Sequence, residues 1–301
     1  MIMLCPGQGA QHVGMGQAWA DYSADAKTVF HRAGEVLDLD LAKLCFEGPE
    51  DQLNRTDIAQ AAIYTTSVAC YRALAGDVDV VATAGLSLGE FTALHLAGAF
   101  DFESGLRLVR LRGQAMQDAA DASSGSMVAL IGADEQQANE LCDRAREDGI
   151  LVPANFNCPG QIVISGSVEA CDRAVIVAGE MGLRATALTV AGAFHSPLMQ
   201  PAADRLARAL DDVDWQLPSV KVLSNVTAGP HEDSIDSIKQ RLVDQLTSPV
   251  RWSESMSWAL ANLTGEFVEL APGKVLSGLM RRIDRKTKVT NHANPPVEAA
   301  S

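Results

Sequence analysis

The hexapeptide Gly85-Leu86-Ser87-Leu88-Gly89-Glu90 follows directly on the apolar run Val78-Asp79-Val80-Val81-Ala82-Thr83-Ala84. The run has the composition of a buried strand, and positions 88–99 carry the helix formers of the element behind it. A serine between two glycines on a strand-to-helix turn is the setting of a nucleophile elbow. A sharp turn brings its flanking backbone together and leaves no room for a side chain at 85 or 89, which is what glycine supplies. The Ser87 hydroxyl then stands at a helix N-terminus, where N–H groups and the helix dipole can stabilise an oxyanion. Glycine and serine by themselves would equally make an ordinary loop. The strand before them and the helix after them favour the nucleophile.

Working outward, strands are expected near Ile2, Val78, Val222 and Phe267, alternating with helices in the manner of an α/β body. In the middle of the chain, 126–131 reads as a strand, 135–147 as a helix and 151–156 as a strand. A further strand is expected at 161–165 after the turn Cys158-Pro159-Gly160, then a helix at 168–181 and extended chain at 184–190. That β-α-β-β-α-β order is the ferredoxin-like pattern. The expected organisation is a large α/β body from 1–123 and 191–301, with a ferredoxin-like small subdomain inserted at 124–190. Only the tail 291–301 reads as loose.

With 301 residues, 47% of them hydrophobic, the chain has material for one large globular unit or two unequal ones. No stretch approaches 18 uninterrupted apolar residues, and Met1-Ile2-Met3-Leu4 runs straight into glycine-rich sequence, so a soluble, cytoplasmic protein without an export signal is expected. The six cysteines are scattered with no C-x-x-C pair. This argues against a zinc site and against a disulfide framework. A formal charge of −14 excludes nucleic acid and acidic membrane surfaces as general partners. Any anionic substrate must be met by local positive charge.

A serine hydroxyl is a weak nucleophile until a base takes its proton, so the six histidines matter. His31 and His95 lie in helical stretches as fillers, His231 and His292 sit in polar loops exposed to solvent, and His12 reads as structural beside a glycine-rich turn. His195, in Ala191-Gly192-Ala193-Phe194-His195-Ser196-Pro197, lies on a loop where the chain re-enters the large body, a place that commonly carries catalytic groups. Capping of the helix starting near Leu198 is the other role its position allows. The segment Pro6-Gly7-Gln8-Gly9-Ala10-Gln11 is no dinucleotide loop, because position 12 is histidine where G-x-G-x-x-G needs glycine. It suits a backbone-rich loop that offers an N–H to an oxyanion. On the expected helix 102–119, Arg112 lies one turn from Leu108 and Met116 and so faces apolar neighbours, whereas Arg107 and Arg110 face solvent. A buried arginine needs an anionic partner. By position alone that partner is equally a substrate carboxylate or a buried Asp or Glu.

These segments, together with Arg112-Gly113-Gln114-Ala115-Met116-Gln117, Asn155-Phe156-Asn157-Cys158-Pro159-Gly160-Gln161, Phe194-His195-Ser196-Pro197-Leu198-Met199, Gln245-Leu246-Thr247-Ser248-Pro249-Val250-Arg251-Trp252 and Pro272-Gly273-Lys274-Val275-Leu276, resemble the malonyl-CoA:acyl carrier protein transacylases over nearly the whole chain. The resemblance implies an α/β-hydrolase-like large body around the ferredoxin-like insertion. It implies ping-pong transfer of malonyl from malonyl-CoA to an acyl carrier protein in type II fatty-acid biosynthesis, through a malonyl ester on Ser87. His195 is then base and acid, oriented by the backbone carbonyl of Gln245, and the N–H groups of Gln11 and Leu88 form the oxyanion hole. Arg112, Phe194, Gln60 and Asn157 bind substrate, with Arg112 on the malonyl carboxylate and the Phe194 ring favouring malonyl over methylmalonyl. No metal or cofactor is implied, coenzyme A thioester being a substrate, and the enzyme is expected to be a monomer. For carrier docking the candidates are Lys274, Arg281, Arg282, Arg285, Lys286 and Lys288, clustered near the C-terminus, which would equally form a solvated helix end. Two departures stand out: Leu86 where the family usually has histidine, and Ala61-Ala62 after Gln60 where proline-alanine is common. A malonyl-loading acyltransferase of a polyketide or malonate decarboxylase system, and a serine hydrolase or thioesterase, share the same core residues.

Overall fold

The structure is a computed structural model that describes residues 1–74 and 78–296. The described strands are β1 (Ile2–Cys5), β2 (Ala82–Gly85), β3 (Gly125–Ile131), β4 (Leu151–Cys158), β5 (Gln161–Ser167), β6 (Arg184–Ala187), β7 (Lys221–Leu223), β8 (Phe267–Leu270) and β9 (Val289–His292). They make a mixed α/β protein with one parallel and one separate antiparallel sheet. The chain divides into two compact units. One comprises 1–113, 213–223 and the described residues from 263 onward, and the other 114–212 with 224–262. The expected insertion at 124–190 lies wholly within the second unit.

The first unit holds the five-stranded parallel sheet, in the order β7-β2-β1-β8-β9. Every residue of β1, β2 and β8 is buried, the continuous burial of strands covered on both faces. Cys5, the last residue of β1, is in register with Gly85, the last of β2. The loops that follow therefore leave the sheet side by side at its carboxyl edge, where open parallel sheets carry their ligand sites. β2 is shorter than the run 78–84 suggests, because its parallel partners β1 and β7 are only four and three residues long. β9 contradicts the expectation of a loose tail at Asn291 and His292: both belong to this edge strand, and residues 297–301 of that expectation lie outside the described residues. His292 is accordingly not a solvated loop residue. Its carbonyl accepts from Trp19 Nε1 at 3.1 Å, and burial lowers its imidazole pKa. His231, also expected in solvent, is buried as well.

The second unit holds the antiparallel sheet, in the order β4-β5-β3-β6. The helices Glu135–Arg146 and Val168–Glu180 pack Ala138, Leu141, Cys142, Ala170 and Ala174 onto Val128, Leu130, Ile162 and Ile164 of the sheet. Asp134 and Gln137 form a reciprocal capping box at the start of the first of these helices. Each element here falls within a few residues of its sequence-based range.

In the first unit, the helices Thr56–Leu74 and Phe102–Ala122 meet where Gly113 leaves no room: a Cβ there would lie 2.7 Å from the Thr56 carbonyl oxygen. Beside this crossing the buried carboxylate of Asp57 accepts from Arg55 Nε at 3.1 Å and from Arg110 Nη1 at 2.7 Å. Arg110 is thus paired with Asp57, contrary to its expected solvent-facing role. Burial pushes the Asp57 carboxyl up, but the two arginines outweigh burial and hold it below the usual aspartate value. A folded pKa lowered in this way contributes stability that is present above the unfolded value and lost as pH falls through the folded one. Asp57→Asn is expected to cost about 1–3 kcal/mol at pH 7. Urea midpoints for the two proteins should converge as pH falls below about 4; a gap that stays constant with pH would count against the ion pair as its source.

Candidate active site

In the first unit, Ser87 is the N-cap of the helix Leu88–Leu96 and adopts φ 53° and ψ −105°, a region a non-glycine residue enters only under constraint. The constraint is backbone crowding. A Cβ on Gly85 would sit 1.9 Å from the Gly89 carbonyl, and one on Gly89 would sit 2.1 Å from the Cys5 carbonyl oxygen. Gly7 lies equally close, 2.2 Å from the Leu86 carbonyl oxygen to its would-be Cβ. Hydrogen bonds close the turn: Leu86 N–H to Cys5 O at 3.1 Å, Gly89 N–H to Leu86 O at 3.0 Å and Glu90 N–H to Ser87 O at 3.1 Å. Leu88 is the first helical residue, so its N–H belongs to the donors that a helix leaves without an intrahelical acceptor. The loop after β1 is braced by the Gln11 side chain, which accepts from Gly9 N–H at 2.7 Å and donates to Asn54 Oδ1 at 2.9 Å.

Arg112 reaches this turn from the helix Phe102–Ala122. It is 1% exposed, donates from Nη2 to Ser87 Oγ at 3.0 Å and from Nη1 to Gln60 Oε1 at 2.8 Å, and lies 5.4 Å from the Phe91 ring centroid. Gln60, from the helix Thr56–Leu74, is fully buried. Burial pulls the guanidinium pKa down to about 10, against the opposing pull of the buried Glu90 carboxylate. The structure therefore brings Ser87, Arg112 and Gln60 into one hydrogen-bonded group. Glu90, whose buried charge acts on Arg112, is the neighbour that sequence reading missed. Its place in the first turn of a helix signals no more than a favourable dipole.

In the second unit, His195 is 4% exposed and adopts φ 56°. Its Nδ1 lies 2.7 Å from the carbonyl oxygen of Gln245, the C-cap of the helix Ile235–Asp244. The Nδ1–H tautomer donates to that oxygen and leaves Nε2 with a lone pair. The loop is pinned by Ser196, whose hydroxyl donates to Ala193 O at 2.7 Å and accepts from Leu198 N–H at 3.3 Å. A short 3-10 turn, Pro197–Met199, precedes the helix Gln200–Asp211, so the helix begins two residues later than expected. Phe194 is buried beside His195, and Asn157 is half-buried on β4. Asn155, on the same strand, bridges to Val250.

Among the described residues no cluster of three or more His, Cys, Asp or Glu could hold a metal ion, and no helix is long and apolar enough to cross a membrane. All six cysteines are buried and outside any disulfide. The candidate docking residues Lys274, Arg281, Arg282, Arg285, Lys286 and Lys288 are all exposed in the first unit.

The family described as the acyl transferase domain matches residues 2–293. The chain is 42% identical over 298 residues to the malonyl CoA-acyl carrier protein transacylase of Bacillus subtilis, covering 98% of this chain and 94% of that protein. It is similar to the crystal structure of an acyl carrier protein S-malonyltransferase from Vibrio cholerae, with a TM-score of 0.94 and 39% identity over 98% of this chain and 97% of the other. It is likewise similar to a malonyl-transacylase solved in complex with its type II polyketide-synthase acyl-carrier protein, with a TM-score of 0.94 and 38% identity over 98% and 96% of the two chains.

The crowding at the turn gives a direct check. Gly85→Ala should cost at least about 3 kcal/mol, because backbone must move to admit the methyl group. Gly9→Ala, whose Cβ meets nothing within 4 Å but which sits at φ +99°, should cost only about 1–3 kcal/mol. Thermal melts of the two variants should separate them in that order.

Proposed function

The chain belongs to the acyl transferase family, and we propose that it moves a malonyl group from malonyl-CoA to the thiol of an acyl carrier protein of type II fatty-acid biosynthesis. The observation that carries this is Arg112: a buried guanidinium with a donor 3.0 Å from the strained Ser87 hydroxyl supplies a cation beside the atom to be acylated. An ordinary esterase has no use for a buried charge there. A malonyl group, with a free carboxylate beyond its thioester carbonyl, does.

In the first half-reaction His195 Nε2 takes the Ser87 proton as Oγ attacks the thioester carbonyl, and the N–H groups of Gln11 and Leu88 hold the oxyanion. The tetrahedral intermediate collapses to the malonyl ester, and the coenzyme A sulfur leaves with the proton from His195. The second half reverses this order. The carrier thiol gives its proton to His195 and attacks the ester carbonyl, and Ser87 Oγ departs as the alcohol. Arg112, held by Gln60, grips the malonyl carboxylate throughout, while Phe194 and Asn157 line the acyl site. The Nδ1 contact of His195 with the Gln245 carbonyl supports its part, since it fixes the tautomer that a base needs. The parallel unit is read as hydrolase-like and 124–190 as a ferredoxin-like insertion. Six cysteines outside any disulfide favour a cytoplasmic location.

Intact mass spectrometry after brief mixing with malonyl-CoA should show a malonyl adduct that Ser87→Ala abolishes and that moves to added carrier protein. In Arg281→Glu/Arg282→Glu the adduct should form normally but transfer more slowly. An adduct that decays only to free malonate would indicate a hydrolase instead. For acyl choice, Arg112→Ala should depress malonyl transfer by about 10²-fold or more while sparing or raising acetyl transfer. In the wild type, malonyl-CoA should outcompete methylmalonyl-CoA. Equal losses for malonyl and acetyl in the variant would remove Arg112 from the acyl site.

A further inference from the structure

The oxyanion donor proposed at Gln11 belongs to the peptide unit that joins Ala10 to Gln11, and the carbonyl of that same unit is held. His12 Nδ1 lies 3.3 Å from the Ala10 carbonyl oxygen. A carbonyl has no hydrogen to give, so the ring makes this contact as donor, with its proton on Nδ1. Gly273 lies against the same oxygen: a Cβ built on it would come 3.5 Å from Ala10 O. Gly273 is itself fixed, since its own carbonyl accepts from Asn291 Nδ2 at 2.7 Å, and that nitrogen also donates to the buried Glu269 carboxylate at 3.2 Å. On the N-terminal side, Ala10 N–H donates to Gly7 O at 3.3 Å, closing a turn in which Gly9 takes φ 99°. Gly7 in turn sits against the Leu86 carbonyl of the elbow.

We infer that His12 is a positioning residue: its hydrogen bond to the Ala10 carbonyl aims and polarises the Gln11 N–H as oxyanion donor. The inference rests on the proposed place of that N–H in the oxyanion hole. A peptide unit is planar and trans, with its N–H and C=O pointing in opposite directions, so restraining the oxygen restrains the hydrogen. Drawing charge from the oxygen also makes the N–H a stronger donor, because hydrogen bonds in a chain polarise one another. Oxyanion stabilisation depends on donors already in place when charge develops. The bonds of the Gln11 side chain to Gly9 and Asn54 brace the loop but do not touch the 10–11 peptide itself. His12 is exposed, so a surface substitution can remove its hold without disturbing the core.

Single-turnover malonylation of Ser87, followed by rapid quenching and intact mass spectrometry, tests this. His12→Phe keeps a ring but lacks the donor. It should slow the maximal acylation rate by about three- to tenfold, the worth of one hydrogen bond, with the half-saturating malonyl-CoA concentration unchanged. His12→Asn places an amide nitrogen where Nδ1 stood and should restore most of the rate. A Phe variant as fast as the wild type, an Asn variant as slow as the Phe variant, or a change confined to the half-saturating concentration would overturn the inference. A second protein carries an ester in place of the 10–11 amide, which removes the Gln11 N–H and keeps the carbonyl. It should acylate about 10²-fold or more slowly. Adding His12→Phe to it should then change little, since the donor that His12 aims is gone; an undiminished effect would give His12 another role. An ester protein as fast as the wild type would remove Gln11 from the oxyanion hole, and the inference with it. A slow ester protein beside a fast His12→Phe variant would leave that hole standing and remove His12 alone.

Discussion

The constraint on which the first unit depends is the close approach of three backbone segments at the carboxyl edge of its sheet. Gly7, Gly85 and Gly89 each face a peptide group of a neighbouring segment at a distance that excludes even a methyl. That approach sets Cys5 against Gly85 and forces Ser87 to φ 53°. A strained conformation persists only where its surroundings over-determine it. Here they are the buried strands β1 and β2 and the helix Leu88–Leu96, so the cost at one residue is borne by a whole core. The strain directs the hydroxyl away from the sheet and toward Arg112.

The second constraint is electrostatic. A guanidinium 1% exposed loses most of its hydration, and the fall of its pKa to about 10 records that loss. Evolution could have neutralised it with a hydrogen-bonded carboxylate, as it did for Asp57 with Arg55 and Arg110 in the same unit. The contrast between these arrangements is informative. Asp57 and its arginines form closed ion pairs at a helix crossing, where fixed geometry is the benefit. Arg112 is instead hydrogen-bonded to neutral oxygens, with Glu90 acting through its charge.

Much of this was legible in the sequence, and the exceptions follow a pattern. The antiparallel unit was readable because, the four-residue β6 apart, its strands and the two helices packed on them run seven to thirteen residues and carry their own periodicity. The elbow was readable because glycine, serine and glycine at fixed spacing carry a steric meaning. β2 was over-extended because a strand's length is decided by its partners, and β1 and β7 are elsewhere in the chain. β9 was missed because Val289-Thr290-Asn291-His292 has only one strongly apolar residue and gains its order from pairing with β8. Arg110 was placed in solvent because helical spacing shows the face of a residue and not the acid that meets it across a helix crossing. The acceptor for His195 is a backbone carbonyl, and main-chain groups leave no trace in residue identity. Only family resemblance pointed to Gln245.

The proposed acyl choice combines discriminations of different size. A ring such as Phe194 can oppose an α-methyl group, but one methyl in an apolar pocket is worth only about 10- to 200-fold. A site built to hydrogen-bond a polar group rejects a ligand lacking it by about 10⁴–10⁵-fold, because the site's own buried groups are then left without partners. Arg112 belongs to the second class, but its Ser87 and Gln60 contacts already satisfy part of its demand. That partial satisfaction lowers the cost of the empty site and, by the same amount, the gain when a carboxylate arrives. Discrimination between malonyl and acetyl groups should therefore fall below the upper limit for a buried charge. The shortfall is the consequence of keeping a charged residue buried beside a nucleophile in an enzyme that must also stand empty between turnovers.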